Sequence, residues 1–149
     1  MTNKICFLDT GIFYSNIEKL SKVLDPMIDN DWSFAIDKIV VYEFIGTVTD
    51  EINKLVAKGM RQDRVEKLRY LLNRFPIFLK DFEIEILIQN ENNIDIDQFF
   101  LEMGKYKMNI GDILILFSLK SKKISKIVTT DKDWERVNDQ DITAVIIEN

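Results

Sequence analysis

The chain has 149 residues, with 25 Asp and Glu against 20 Lys and Arg, one cysteine and no histidine. Without histidine there is no imidazole base, no Ser-His-Asp or Cys-His nucleophile and no His-ligated zinc, and a lone Cys6 makes neither an internal disulfide nor a paired-thiolate metal site. The five glycines never fall in a dinucleotide-binding or P-loop pattern, so any catalysis rests on carboxylates, hydroxyls, lysine or arginine.

Length and the lack of a Gly/Ser-rich linker predict a single domain over residues 1–149. Hydrophobic residues make up 46% of the chain beside 30% charged ones, the balance of a well-cored protein. No apolar run approaches the ~20 residues of a membrane helix, and Asp9 closes the opening apolar stretch too early for a signal peptide. The expectation is a soluble cytoplasmic protein.

In chain order, Ile5–Leu8 reads as a buried strand that exits through Asp9-Thr10-Gly11. Ile12–Leu24 has a helical face made by Phe13, Ile17, Leu20 and Leu24, with Pro26 expected to end it. Lys38–Lys58 places Ile39, Tyr42, Ile45 or Gly46, Thr49, Ile52 and Val56 at helical spacing and closes at Gly59. Arg61–Phe75 repeats the period with Val65, Leu68 and Leu72 and is expected to stop at Pro76.

Glu83–Ile88 alternates acid and isoleucine, as a strand does. Asp95–Lys107 reads as a helix entered through Asp95 or Asp97. Asp112–Lys123 reads as a deeply packed helix, apolar almost all round. Lys126–Thr130 and Thr143–Ile147 are β-branched runs and read as core strands. Helices alternating with short apolar strands predict an α/β fold, a mainly parallel central sheet flanked by helices.

Charge is unevenly spread. Residues 58–80 and 104–126 each carry a net +5, whereas residues 81–103 carry −7 and 127–149 carry −4. Such segments serve as solvated helix faces or as basic surfaces that touch phosphates.

Four acids adjoin strongly apolar segments, where an unpaired charge is costly: Asp9, Glu43, Asp112 and Asp131. Asp9, Asp112 and Asp131 stand at expected helix starts, where a short acid also serves as an N-cap. Glu43, inside Val40-Val41-Tyr42-Glu43-Phe44-Ile45, has no such structural use. Asp9 and Asp131 follow two expected parallel strands, at the end of a sheet where α/β proteins bind ligands. Carboxylates gathered there repel one another unless a divalent cation intervenes, and oxygen ligands alone suit Mg²⁺ or Mn²⁺.

The pattern resembles the PIN-domain ribonucleases over essentially the whole chain. The matching pieces are Phe7-Leu8-Asp9-Thr10-Gly11, Val40-Val41-Tyr42-Glu43-Phe44-Ile45, Gly111-Asp112-Ile113-Leu114-Ile115 and Ile127-Val128-Thr129-Thr130-Asp131-Lys132-Asp133-Trp134. The resemblance implies a PIN-like parallel sheet and an acidic pocket in which Asp9, Glu43, Asp112 and Asp131 are catalytic and hold one or two Mg²⁺ or Mn²⁺ ions. Thr10, Thr129 and Asp133 are auxiliary candidates. It also implies an RNA substrate, an antitoxin partner as in the small prokaryotic toxin-type members, and a homodimer. Trp134 replaces a common Phe, and Phe117 and Ser118 stand where small residues often follow the third acid.

The functional expectation is therefore a metal-dependent ribonuclease that hydrolyses RNA phosphodiester bonds. The alternative is a non-catalytic PIN-like module that binds RNA or protein and needs no metal. An aspartate-based phosphotransfer protein fits less well, because Asp9-Thr10-Gly11 lacks the second acid such sites place there. Tyr42, Phe13 and Tyr14 are expected in the core or at its rim, Trp32 and Trp134 in the core, and Lys132 either against a phosphate or in solvent.

Overall fold

The computed structural model describes residues 4–59, 62–87 and 95–148. Five strands and five helices account for most of them: β1 (Lys4–Leu8), α1 (Ile17–Asp29), β2 (Trp32–Asp37), α2 (Lys38–Ala57), α3 (Gln62–Asp81), β3 (Glu85–Leu87), α4 (Ile96–Tyr106), α5 (Ile110–Ser121), β4 (Lys126–Thr129) and β5 (Thr143–Ile146). Short 3-10 segments at Thr10–Tyr14 and Lys132–Gln140 follow β1 and β4.

The strands form one sheet in the order β3-β2-β1-β4-β5, and every pairing is parallel. The expected α/β fold with a parallel sheet flanked by helices is what the chain adopts. It winds outward from β1 through β2 to β3, then returns so that β4 lies on the free side of β1. The direction of winding thus reverses between β1 and β4, which places the topological switch point at their carboxyl ends. Phe7 pairs with Ile127 and Leu8 with Val128, and the Asp9 N–H continues the ladder to the Val128 carbonyl at 2.9 Å. Asp9 and the residues after Thr129 therefore leave the sheet side by side.

Phe7, Leu8, Phe34, Ile36, Ile127 and Val128 are fully or almost fully buried in the sheet. Leu20 and Leu24 of α1, Phe44 and Val48 of α2, and Ile113 and Leu116 of α5 pack into the same core. Phe13, Phe44, Phe75 and Phe78 form an aromatic cluster that fastens the 3-10 turn after Asp9 to α2 and α3. Its ring centroids lie 4.9 Å apart for Phe13–Phe75, 5.4 Å for Phe13–Phe78 and 4.7 Å for Phe44–Phe75. Contacts of this kind add about 0.5–1.5 kcal/mol per pair beyond area burial.

Several expectations are corrected here. Neither proline ends its helix: Pro26 lies inside α1 and Pro76 inside α3. Both are exposed, so neither ring intrudes on the core. The first helix begins only at Ile17, because Thr10–Tyr14 turn as a 3-10 segment. Strand β2 went unrecognised in the sequence, because Asp37 is at once its last residue and the N-cap of α2. The buried face of α2 is Val40, Phe44, Val48, Ile52 and Leu55, whereas Tyr42, Ile45 and Val56 are exposed. The cap of α5 is Asn109, not Asp112. Ile88, residues 89–94 and Arg61, included in the sequence-based expectations, lie outside the described residues.

Candidate active site

Asp9 sits at the carboxyl end of β1, 6% exposed. Its Oδ1 accepts the Thr10 backbone N–H at 2.8 Å, and its Oδ2 accepts the Thr129 hydroxyl at 2.6 Å. The Thr129 oxygen also accepts the Asp131 N–H at 3.0 Å, and Asp131 Oδ1 accepts the Asp133 N–H at 2.9 Å. On the other side, the Thr10 hydroxyl donates to Glu43 Oε2 at 3.2 Å. One hydrogen-bonded line therefore runs from Glu43 through Thr10, Asp9 and Thr129 to Asp131 and Asp133. It joins α2, the turn after β1 and the turn after β4. The two auxiliary threonines are its links, and each orients a carboxylate.

Asp112 stands outside this line, in the first turn of α5, with its backbone N–H donated to Asn109 Oδ1 at 2.9 Å. Its side chain is thus free of capping duty, and electrostatics tie it to the others. Burial raises its carboxyl from 3.8 to about 7, helped by the charges of Asp9, Asp131, Glu43 and Asp133. A position in the first turn of a helix ordinarily favours an anion, so burial, with the surrounding charge, outweighs the helix field. Asp9 is also raised, by burial first and by Asp131. The Thr129 hydroxyl and Thr10 amide oppose that rise, and Trp134 opposes it least. The Trp134 indole N–H is buried and makes no hydrogen bond. Glu43 is raised by burial and by Asp9, against the Thr10 hydroxyl.

Glu43, unlike Asp9, does not have both carboxylate oxygens hydrogen-bonded. Its Oε1 is buried and has no hydrogen-bond partner. That oxygen lies over Gly111, the residue before Asp112, where a Cβ would collide with it. Leaving a buried carboxylate oxygen unpaired is expensive, and such atoms call for an explanation. Gly11 gives Thr130 the same clearance on the other side of the site.

The structure thus brings Asp9, Glu43, Asp131, Thr10 and Thr129 into one connected rim, with Asp112 within electrostatic reach. Asp133 is less involved: it is held by Arg136 in an exposed ion pair of 3.0 Å. Lys132 is solvent-facing, 3.9 Å from Glu148. Phe13 and Trp134 are core residues and Tyr14 lies at the rim, but Tyr42 is exposed and Trp32 only half-buried. Among the described residues, each basic segment turns a cation partly inward. Arg74 donates to the carbonyls of Phe13 and Ser15 at 2.7 and 3.1 Å, and Lys120 pairs with the buried Glu102.

Every donor in the rim is a carboxylate or hydroxyl oxygen, the set that suits Mg²⁺ or Mn²⁺ rather than a softer metal. Among the described residues, no three His, Cys, Asp or Glu side chains stand as a ready-made metal cluster. Asn109 is not among the residues that the sequence motifs single out, although Asn109-Ile110-Gly111-Asp112 carries a cap signal in the Asn itself.

No family model matches the chain. The chain is 28% identical over 137 residues to a protein named Ribonuclease VapC6 from Methanocaldococcus jannaschii, a match that covers 86% of each chain. It is a distant relative of a ribonuclease. A solved domain of a functionally unknown protein from Methanocaldococcus jannaschii superposes with a TM-score of 0.49 at 16% identity, over 98% of this chain and 92% of that one. No described helix is long and apolar enough to cross a membrane.

Proposed function

We propose that the chain is a PIN-type, Mg²⁺- or Mn²⁺-dependent endoribonuclease, with Asp9, Glu43, Asp112 and Asp131 as its metal-holding and catalytic carboxylates. The supporting observation is the hydrogen-bonded line that runs from Glu43 through Thr10, Asp9 and Thr129 to Asp131, together with Asp112, whose carboxyl is raised by burial first and then by the charges of Asp9, Asp131, Glu43 and Asp133. Mutual repulsion of that kind is relieved by a divalent ion. The unpaired Glu43 Oε1 is a ligand atom in want of a partner, and the donor chemistry fits a hard cation. The ion supplies an activated water and positive charge for in-line displacement at phosphorus.

The chain's own residues do the rest. Thr129 and the Thr10 amide fix both oxygens of Asp9, and the Thr10 hydroxyl orients Glu43. The name of the relative supports RNA as substrate. In the cell we place the protein in the cytoplasm, as the toxin of a toxin–antitoxin pair that acts as a homodimer and is silenced by a small antitoxin protein.

The test is RNA cleavage with Mg²⁺ or Mn²⁺. Asp9→Asn and Asp112→Asn should each abolish cleavage while leaving the circular dichroism spectrum of the native fold. Full activity in excess chelator, or in either variant, overturns the assignment. A second reading, a non-catalytic RNA- or protein-binding module, draws on the lack of a ready-made three-carboxylate cluster among the described residues. Calorimetric titration separates the two: failure to bind Mn²⁺ at millimolar concentration favours the module.

A further inference from the structure

The most deeply buried acid among the described residues is not one of the four. Asp37, the last residue of β2, is 1% exposed. Phe7 pairs with Ala35 across β1 and β2, so two residues further on Asp37 leaves the sheet beside Asp9. Its Oδ1 accepts the Ile39 N–H at 2.9 Å and caps α2. Its Oδ2 accepts a hydrogen bond from the Ser118 hydroxyl of α5.

The two helices tied to this side chain are the ones that deliver Glu43 and Asp112. Glu43 lies six residues along α2 from its cap, and Ser118 lies six residues along α5 from Asp112. At 1.5 Å rise per residue each span is about 9 Å of helix, short enough to act as a rigid strut. A serine or asparagine would cap α2 equally well, and serine is too short to bridge to a second helix. Cap duty alone therefore does not account for a buried aspartate whose second oxygen is spent on α5.

We propose that Asp37 is a positioning residue for the active site, a brace that locks α2 to α5 through Ser118 and so fixes Glu43 relative to Asp112. This rests on the ribonuclease assignment for its catalytic consequence, but the brace itself is a property of the fold. Catalytic groups displaced by about 1 Å lose rate on the order of 10²-fold, and a loosened brace permits shifts of that size.

The experiment compares Asp37→Ala, Asp37→Ser, Asp37→Asn and Ser118→Ala. Asparagine keeps a cap acceptor and a polar group facing Ser118, whereas serine keeps the cap alone. We expect kcat for Mn²⁺-dependent cleavage to fall about 10- to 100-fold in Asp37→Ser and Ser118→Ala, with KM nearly unchanged. Asp37→Asn should recover most of it. A second readout needs no activity. Spin labels on cysteines introduced at the exposed Asn53 of α2 and Ser121 of α5 should give a narrow distance distribution in the parent protein. Cys6, fully buried, stays unlabelled. The distribution should broaden or shift in Asp37→Ser and Ser118→Ala and stay narrow in Asp37→Asn.

Parent-like kcat and distances in Asp37→Ser overturn the brace and leave Asp37 a simple cap. If Asp37→Ala does not fold, the serine and asparagine variants carry the comparison. A parent protein that cleaves no RNA sinks the ribonuclease assignment instead. The label distances then decide the brace alone, and unchanged distances overturn it.

Discussion

Glu43 shows how a single residue exposes a site. A carboxylate among Val40, Val41, Phe44 and Ile45 is legible in the sequence as an acid without a structural use, and the structure leaves its Oε1 buried and unpaired. What the sequence does not display is Gly111, because a glycine before an acid is a common sight. Its role emerges only when α5 crosses the Glu43 side chain and leaves no space for a Cβ. Gly111→Ala therefore acts on function rather than on folding. The clash is with the far end of a flexible side chain, which swings aside at small cost, and alanine favours a helix over glycine by roughly 1 kcal/mol. The expected outcome is a melting temperature equal to or above that of the parent, together with at least tenfold weaker Mn²⁺ binding by calorimetry. Unchanged Mn²⁺ affinity would show that the orientation of Glu43 is immaterial.

At the level of the elements, the sequence discloses those that are bounded by turns and conceals those that run into one another. β1, β4 and β5 stand between punctuating residues and were expected almost to the residue. β2 was not, because strand and helix meet at Asp37 with no turn between them. The face of α2 was misjudged for a different reason: apolar residues occupy several i, i+3/i+4 series at once, so periodicity alone fixes no single phase. Proline misled twice, since Pro26 and Pro76 lie on exposed faces whose helices are held by buried neighbours such as Leu24, Phe75 and Phe78. The packing of α4 on α5 was equally hidden, although it encloses an ion pair between Glu102, 3% exposed, and Lys120. Gln98 adds a hydrogen bond of 3.1 Å to the same Glu102 oxygen. Removing Lys120 leaves the buried Glu102 charge uncompensated, a loss of about 3–5 kcal/mol where both partners are buried and smaller here because Lys120 is 31% exposed, whereas replacing both by apolar groups is often neutral. Lys120→Met should accordingly lower the urea midpoint sharply, and the Glu102→Leu, Lys120→Met double variant should regain most of the loss. A double variant no better than the single one would mean that the pair is not the stabilising unit.

For the molecule as a whole, the switch point sets the terms of its stability. One parallel sheet brings Asp9, Asp131, the second turn of α2 and the first turn of α5 to its carboxyl end, so folding itself concentrates negative charge that the unfolded chain keeps dispersed. Asp9, Glu43 and Asp112 all have folded-state values above their ordinary ones, burial being the leading cause for each. Between the ordinary value and the raised one the native state binds more protons than the unfolded state, so its stability falls as pH rises. For Asp112 that window runs from 3.8 to about 7. In chelator, the free energy of unfolding should therefore decline from about pH 4 to about pH 7 and level off above, in so far as these acids dominate. Asp112→Asn should flatten that decline, because an amide has no proton to lose. A divalent ion that binds only the native state adds about 2.7 kcal/mol at a hundredfold excess over its Kd. For a domain of this size such a gain is worth on the order of 5–10 °C in melting temperature. The gain should be largest near pH 8, where the carboxylates are ionised, and small near pH 5, where protons compete for the same oxygens. Melting curves at both pH values, with Mn²⁺ and with chelator, decide the matter. A Mn²⁺ shift of equal size at the two pH values would mean that the ion binds elsewhere than on these carboxylates.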